Sequence, residues 1–329
     1  MAVPKAELHV HLEGTATPDL VRRIAARNGL SVPDGVFAAP DRFAWRDFLD
    51  FLATYDRAAS VVRTGEDYRD IAYEYLAASA RDGVIYAELT ASLDHARRAG
   101  MSADELWEGV AAGIDDARRD HGIEARILSI AVRHYGVDAA LAVAEHTASR
   151  PHPYVVGFSL GGDEAGYPPG QFAEAYRIVV DAGLGATVHA GEWAGAESVR
   201  AAIALPVTRV SHGVRAIEDP ELVAELARRR IVLEVCPTSN VALGVFPSFA
   251  EHPFPALRAA GVPLTLGSDD PPYFGASVAG EYEVASRHFG LDDEGLVELT
   301  ATAVRASFAE PALRHRLMTV LTNEVDLPL

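Results

Sequence analysis

Two histidines near the start of the chain are spaced to share a metal ion. His9 and His11 lie in residues 6–12, which read as a short apolar strand before a turn at Gly14. Alternate side chains of a strand point to one face, so the two imidazoles project together, roughly 6.6–6.8 Å apart along the strand. They can converge on one metal ion, although two ordinary part-buried histidines would show the same spacing. Partners elsewhere in the chain must decide between these interpretations.

Three further strand-like segments end in side chains that bind metals or move protons: His189 with Glu192, His212, and Asp269 with Asp270. In a parallel barrel the carboxyl ends of the strands gather at one face, so these groups would meet the first pair there. A core with scattered histidines would not place them all at strand ends. Three imidazoles and a carboxylate suit zinc best, while iron and cobalt accept the same ligand types.

Zinc lowers the pKa of bound water from 15.7 to about 7, which supplies hydroxide at neutral pH. Such a site needs a proton shuttle that is not a ligand, and Glu192, three residues beyond His189, is suitably placed. A solvated loop carboxylate is the alternative. The spacing leaves open whether the fourth histidine binds the metal or orients the hydroxide.

The pair Asp269–Asp270 cannot aim both carboxylates at one metal, so one can be a ligand while the other faces the substrate. The alternative is a turn with two exposed carboxylates. Pro271 argues against a regular helix that continues directly from Asp270.

The number of metal ions follows from lysine usage. The carboxylated lysine that bridges two metals in many hydrolases has one candidate here, Lys5, which lies roughly 13 Å back along the strand from His9. We therefore expect one zinc ion per chain, although Asp163 or Glu164 could bridge a second ion.

The elements that position these residues alternate between strands and helices. Strand-like segments follow the first one at 84–89, 125–132, 154–160, 186–189, 209–212, 231–236 and 263–267, and helical patterns include 18–28, 45–62, 66–81, 102–120 and 137–149. Eight such strands predict an α/β fold, a (β/α)8 TIM-type barrel, with extra helices inserted at about 15–82 after the first strand. An open doubly wound sheet is the alternative, but no G-x-G-x-x-G follows the first strand. We expect one domain over 1–329.

The amino-acid composition restricts the kinds of molecule that the protein is expected to bind. The 329 residues carry 47 Asp and Glu against 29 Lys and Arg, a formal charge of -18 that repels nucleic acid and anionic membranes. One cysteine, Cys236, excludes an intramolecular disulfide and a cysteine-based zinc knuckle. Because the chain shows neither a signal-peptide core nor 18 consecutive apolar residues, we expect a cytoplasmic protein. The oligomeric state stays open, with a homo-oligomer among the alternatives.

Two other patterns carry less chemistry. Residues 157–161 match the G-x-S-x-G nucleophile elbow, but an elbow must run straight into a helix and residues 162–169 intervene. A surface role is expected for most of the remaining histidines, which fall in helices, helix ends or loops: His95, His121, His134, His146, His152, His252, His288 and His315.

Six ordered motifs together resemble the adenosine/adenine deaminase family of the amidohydrolase superfamily: residues 4–14, 161–164, 189–192, 211–213, 236–240 and 268–271. The resemblance extends from about residue 4 to about 310. It implies zinc bound by His9, His11, His189 and Asp269. The zinc-bound hydroxide would attack C6 of a 6-aminopurine, which releases ammonia and leaves a 6-oxopurine.

The resemblance also implies roles for five further residues. Glu192 would protonate the purine N1, and His212 would orient and stabilise the hydroxide. Asp270 would hydrogen-bond N7, and the Gly162 N–H would reach N3. At the position that Glu13 occupies in this chain, adenosine deaminases typically carry an aspartate, and that aspartate contacts the ribose.

The resemblance implies a purine base or nucleoside as the substrate, and different motifs indicate different members of this pair. Glu13 and residues 270–275 resemble the branch that acts on adenine, whereas residues 161–164 resemble the nucleoside branch. We predict deamination of adenine to hypoxanthine, with adenosine or 2′-deoxyadenosine as the alternative. Phe51, Tyr55 and Trp193 either line the mouth or pack in the core.

Two rival functions differ in the groups that they need. A metal-dependent phosphoesterase would need two or three metals and cationic groups for phosphate, which this lysine-poor chain lacks near the motifs. A non-catalytic metal- or purine-binding protein would not need a proton donor such as Glu192 beside the metal.

Overall fold

The computed structural model describes residues 3–325, which form eleven strands and fifteen α-helices. The strands are β1 Lys5–His11, β2 Phe37–Ala39, β3 Arg42–Phe43, β4 Val84–Ser92, β5 Glu124–Val132, β6 Val155–Gly161, β7 Gly185–Ala186, β8 His189–Ala190, β9 Arg209–His212, β10 Val232–Val235 and β11 Leu264–Leu266. The helices are α1 Pro18–Arg27, α2 Phe48–Ala59, α3 Gly65–Arg81, α4 Leu93–Arg98, α5 Ala103–His121, α6 Val137–Ser149, α7 Ala173–Asp181, α8 Ala196–Ala202, α9 Pro220–Arg229, α10 Pro237–Ala242, α11 Phe254–Ala259, α12 Pro271–Phe274, α13 Val278–Phe289, α14 Asp293–Ala306 and α15 Pro311–Val325.

The parallel strands form two sheets that together follow the order of a barrel. One sheet runs β1-β4-β5-β6-β7 and the other β11-β10-β9-β8. At one junction Val10 pairs with Asp269, three residues beyond the end of β11. At the other, β7 and β8 are successive pieces of one stretch: Thr187 N–H still bonds Phe158 O, whereas Val188 O already accepts from Ser211 N–H. The predicted barrel is confirmed, and its fifth strand is divided because the chain changes partners there.

The segment between β1 and β4 contains three helices, as expected, and also the antiparallel pair β2–β3. That pair was not predicted, because strands of three and two residues are too short to show a period. Helix α2 begins at Phe48 rather than Trp45, since the Asp47 side chain caps it. Helix α3 packs on α5 and β4 and so belongs to the outer layer of the barrel.

The main hydrophobic cluster includes residues from Val3 to Leu321 and surrounds the strands. A single domain agrees with this but stays a prediction. Ser159 is buried within β6, and the next helical turn begins only at Pro169, so the G-x-S-x-G pattern is part of a barrel strand and not an elbow. Within residues 3–325, no helix is both long and apolar enough to cross a membrane.

Candidate active site

Four predicted metal ligands converge at the carboxyl ends of the strands. His9, His11, His189 and Asp269 each offer a ligand atom, and these atoms all lie within 4.8 Å of one another. Asp269 Oδ1 is 3.4 Å from His9 Nε2 and 3.3 Å from His11 Nε2. The Nε2 atoms of His11 and His189 are 3.1 Å apart. Distant parts of the chain thus bring together the set that the sequence predicted.

The chemistry of these donors fits a divalent cation. His9 Nδ1 lies 3.2 Å from Glu234 O and donates to it, which leaves the Nε2 lone pair facing the cluster. His9 Nε2 is buried with no hydrogen-bond partner among the described residues, and it faces Asp269 Oδ1 at 3.4 Å. Buried polar atoms rarely lack partners in native proteins. Burial, with the neighbouring His9 and His11, holds the pKa of His189 well below its usual value, so its imidazole is neutral and can bind a metal.

Asp269 is held in a conformation that suits a ligand. Its φ is +63°, in the left-handed region that residues other than glycine seldom adopt, and His212 has a φ of +62°. Such strain collects at functional sites. Ser239 Oγ donates to Asp269 Oδ2 at 2.5 Å, which orients the carboxylate. Although burial opposes it, the neighbouring imidazoles of His11 and His9 hold the pKa of Asp269 well below its usual range.

Glu192 and His212 lie beside the cluster as a potential proton donor and a neutral imidazole. His212 Nε2 is 3.6 Å from Glu192 Oε1 and 3.8 Å from Asp269 Oδ2. Burial and the charges of Asp269 and Glu164 raise the pKa of Glu192 well above its usual value, which favours the protonated carboxyl that a proton donor needs. Burial lowers the pKa of His212 to about 3.

Glu164 fixes the loop that carries Glu192. Its carboxylate accepts backbone N–H groups of Gly191 at 2.5 Å, Glu192 at 3.1 Å, Trp193 at 2.8 Å and Ala194 at 3.1 Å. With both oxygens engaged in this way, Glu164 is a clamp for the loop. The alternative in which it bridges a second metal does not agree with these contacts.

A pocket opens over the cluster. It is lined by His11, Phe48, Phe51, Leu52, Tyr55, Asp56, Ser92, His95, Ile130, Val132, His134, Gly161, Gly162, His189, Glu192, His212, Asp269 and Asp270. Phe51 and Tyr55 therefore line the mouth. Trp193 instead stacks behind Phe48, with ring centroids 4.7 Å apart.

Two glycines allow this pocket to form. A Cβ at Gly14 would lie 1.7 Å from Asp270 Oδ1, so only glycine leaves room for that carboxylate. Gly162 has a φ of +100°, and a Cβ there would lie 2.6 Å from His134 Nδ1. Asp270 Oδ1 is buried and has no partner among the described residues. Burial, with Asp269 and Glu192, raises the pKa of Asp270 well above its usual value.

Comparison with known proteins identifies the family. The adenosine deaminase family profile matches residues 4–324. The chain belongs to the adenosine deaminase family. It is 47% identical over 323 residues to an adenine deaminase of Chelativorans sp. (strain BNC1), with 98% of this chain and 99% of that protein covered. It is 46% identical to an adenine deaminase of Sinorhizobium medicae (strain WSM419), with 96% and 98% covered.

Solved structures agree with this assignment. The crystal structure of adenine deaminase from Arthrobacter aurescens superposes with a TM-score of 0.90 at 31% identity and covers 99% of this chain and 100% of that one. An amidohydrolase from Burkholderia ambifaria with bound zinc gives a TM-score of 0.89 at 27% identity, covering 99% and 91%. The amidohydrolase barrel that the sequence resemblance implied is thereby confirmed.

Glu13 is not brought to the pocket surface. It lies in a 3-10 turn after β1, and Tyr68 OH at 3.0 Å and Ser92 N–H at 2.9 Å donate to its Oε1, while Tyr55 OH donates to Oε2 at 3.3 Å. A role of Glu13 in substrate binding stays a prediction. Its contacts favour an action through the pocket residues Tyr55 and Ser92.

The surface role expected for most of the other histidines is wrong at three positions. His95 and His134 line the pocket, and buried His252 bonds Asn240, a neighbour of His212. His95 and His134 follow β4 and β5 by three and two residues, so the strand-end rule used for the metal ligands could have found them. His252 follows no strand directly and gives no such signal.

The expectation that no regular helix continues from Asp270 holds for Asp270 itself, whose φ of -122° and ψ of 76° are not helical, but a helix of four residues follows it directly. Helix α12 begins at Pro271, with Asp270 as its N-cap residue. Proline is tolerated at the first helical position, because its missing N–H would have no intrahelical partner there.

Proposed function

We propose that the protein is a zinc-dependent enzyme that deaminates adenine to hypoxanthine and releases ammonia. The observation that carries this proposal is the convergence of His9, His11, His189 and Asp269 on one point beside Glu192, in a pocket that also holds the unpartnered Asp270. Relatives 44–47% identical over nearly the whole chain are named adenine deaminases, which supports adenine as the substrate.

One zinc ion per chain, held by His9, His11, His189 and Asp269, would supply a water that loses its proton near neutral pH. His9 directs its unpartnered Nε2 into this cluster, and His189 directs its Nε2 there, 3.1 Å from His11 Nε2. Glu164, which could have supported a second ion, is occupied by four backbone N–H groups.

The protein residues then bind and protonate the purine. Glu192, whose protonated form is favoured by burial, donates a proton to N1, which makes C6 more electrophilic. His212 Nε2 faces the same point and orients the attacking water. A C6–O bond forms, the amino group takes the remaining proton of the added water, and the C6–N6 bond breaks to release ammonia and leave the 6-oxo group. Asp270 hydrogen-bonds N7, and the Gly162 N–H reaches N3.

The free base is favoured over the nucleoside by the surroundings of Glu13. Three protein donors hold its carboxylate away from the pocket surface, which disfavours a contact with a ribose hydroxyl. Residues 161–164, which resemble the nucleoside branch, have a use that does not involve ribose, because Glu164 clamps the catalytic loop. The lining residues include no Arg or Lys within the described part of the chain, which disfavours a phosphoesterase.

The test is an ammonia-release screen of zinc-loaded protein with adenine, adenosine, 2′-deoxyadenosine and N6-substituted purines. We expect the highest kcat/KM with adenine and hypoxanthine as the product. Conversion of adenosine to inosine at a much higher kcat/KM would overturn the choice of substrate. Absence of turnover with every 6-aminopurine would overturn the reaction.

A further inference from the structure

His212 can orient a water by donating a hydrogen bond only from the nitrogen that faces the metal cluster. Nε2 is that atom, 3.6 Å from Glu192 Oε1 and 3.8 Å from Asp269 Oδ2. A neutral imidazole carries its proton on one ring nitrogen, and the bond made by the other nitrogen decides which one. The contacts of His212 Nδ1 are therefore informative.

A series of hydrogen bonds leads to His212 Nδ1, and its first donor is a backbone N–H group. Phe254 N–H lies 3.2 Å from His252 Nδ1, and a backbone N–H can only donate. His252 Nδ1 therefore accepts, and the proton of the neutral ring is on Nε2. The ring is buried between Phe246 and Phe289, with centroid distances of 5.2 and 5.4 Å, so it cannot turn without disturbing them.

Asn240 connects His252 to His212, and the donor on His252 fixes which end of the Asn240 amide faces each histidine. Its Oδ1 lies 3.1 Å from His252 Nε2 and must accept, because that nitrogen donates. The amide Nδ2 then faces His212 Nδ1 at 3.3 Å and donates to it. Asn240 is fully buried on α10, so water does not compete for either contact. An asparagine alone could turn its amide either way, and His252 removes that freedom.

We propose that Asn240 and His252 are positioning residues that set the tautomer of His212 and keep its proton on Nε2, toward the attacking water. The catalytic consequence rests on the proposed function, whereas the tautomer itself does not. Neither residue lines the pocket, so both act on the reaction through His212.

Long-range 1H–15N spectra of zinc-loaded protein labelled with [15N]histidine test the tautomer without any substrate. His212→Gln and His252→Gln spectra assign the two signals. We expect both rings to show the pattern of a neutral imidazole with its proton on Nε2. A wild-type His212 with its proton on Nδ1, or on both nitrogens, would overturn the proposal even if the enzyme deaminates adenine.

Two substitutions change the polarity of these contacts. Asn240→Asp places a group that only accepts against His212 Nδ1, so the proton should move to Nδ1 and kcat should fall about 100-fold, with a smaller change in KM. His252→Leu lets the Asn240 amide turn, so His212 should show both tautomers and an intermediate kcat. His252→Gln keeps an N–H donor toward Asn240 and should restore the wild-type spectrum and most of kcat.

Phe289→Leu is the matched control, because it loosens the packing on His252 and removes no hydrogen bond. We expect a lower melting temperature with an unchanged His212 signal and kcat. The proposal fails if His212 keeps its proton on Nε2 in both Asn240→Asp and His252→Leu, or if kcat falls equally in Phe289→Leu. If Asn240→Asp does not fold, the His252→Leu and His252→Gln pair decides.

Discussion

The barrel contains two buried polar clusters that differ in how their charges are satisfied. In the ion-pair cluster, Arg209 Nη2 lies 2.6 Å from Glu88 Oε2 and Arg209 Nε lies 2.6 Å from Glu234 Oε1. Both carboxylates accept further bonds, for example from Phe308 N–H and Ser211 OH. In the metal-site cluster, by contrast, two like atoms, the Nε2 nitrogens of His11 and His189, lie 3.1 Å apart, and Asp270 Oδ1 has no hydrogen-bond partner within residues 3–325.

The two clusters are equally buried, but burial indicates a structural role in the first and a ligand-binding role in the second. In the ion-pair cluster the charge of Arg209 faces two opposite charges within the fold, which supports the barrel, and the Glu234 carbonyl also orients His9. The metal-site cluster is incomplete without a ligand, which is the property expected of a site that binds a metal and a substrate. Substitutions in the first cluster should change stability, and substitutions in the second should change activity.

Glu192→Gln should show the largest effect, because the amide cannot give a proton to N1. We expect kcat for adenine to fall about 10²- to 10⁴-fold, with bound zinc and melting temperature close to wild type. Ammonia release and metal analysis measure these quantities. Glu197→Gln, on the exposed side of α8, is the control and should keep full activity. An active Glu192→Gln enzyme would contradict the assignment of the proton donor.

Arg209→Met should affect stability instead. It leaves Glu88 and Glu234 buried without a cation, and we expect the free energy of unfolding to fall by about 3–5 kcal/mol in denaturant titrations. The triple variant Arg209→Met, Glu88→Gln, Glu234→Gln removes the uncompensated charges and should recover most of that loss. A single variant as stable as the wild type would remove the contrast between the two clusters.

Glu281 is an intermediate case, a buried carboxylate that accepts from Thr238 N–H at 3.2 Å. Burial raises its pKa from 4.5 to about 8 in the folded protein. The folded state then binds the proton where the unfolded chain has released it. The free energy of unfolding should therefore fall as pH rises from about 4.5 to about 8, with a limiting slope of about 1.4 kcal/mol per pH unit.

Glu281→Gln should remove this part of the pH dependence. The free energy of unfolding of the variant, compared with that of the wild type, should therefore be higher at pH 8.5 than at pH 6. Urea unfolding at the two pH values measures it. Glu283→Gln, on the same helix but in a part-exposed pair with Arg287, is the control and should leave the pH dependence as it is. If the free energy of unfolding changed equally with pH in Glu281→Gln and wild type, the burial argument would be refuted.

The sequence predicted the barrel and the metal ligands because both follow a simple rule. Buried parallel strands appear as apolar runs, and functional groups stand at their carboxyl ends, as His9, His189 and Asp269 do. The same rule also covers His95 and His134, which follow β4 and β5 by three and two residues and line the pocket. Strands β2 and β3 were missed because their pairing is too short for a periodic pattern.

The contacts among distant segments could not be predicted from spacing. That Glu164 bonds the loop of Glu192, or that His252 bonds Asn240, depends on how loops from different strands meet at the mouth of the barrel. Glu13 illustrates the same limit. As a continuation of β1 it would share a face with His11, but the strand ends at His11 and a 3-10 turn directs Glu13 toward Tyr55 and Tyr68.

The most direct test of the metal-site cluster is a zinc titration of metal-free protein, followed by adenine deamination and metal analysis. We predict no turnover without metal, a linear rise in kcat with added zinc and a plateau at one zinc ion per chain, with His189→Ala abolishing tight binding. Activity without metal, or a plateau at two ions per chain, would contradict a single zinc site built from His9, His11, His189 and Asp269.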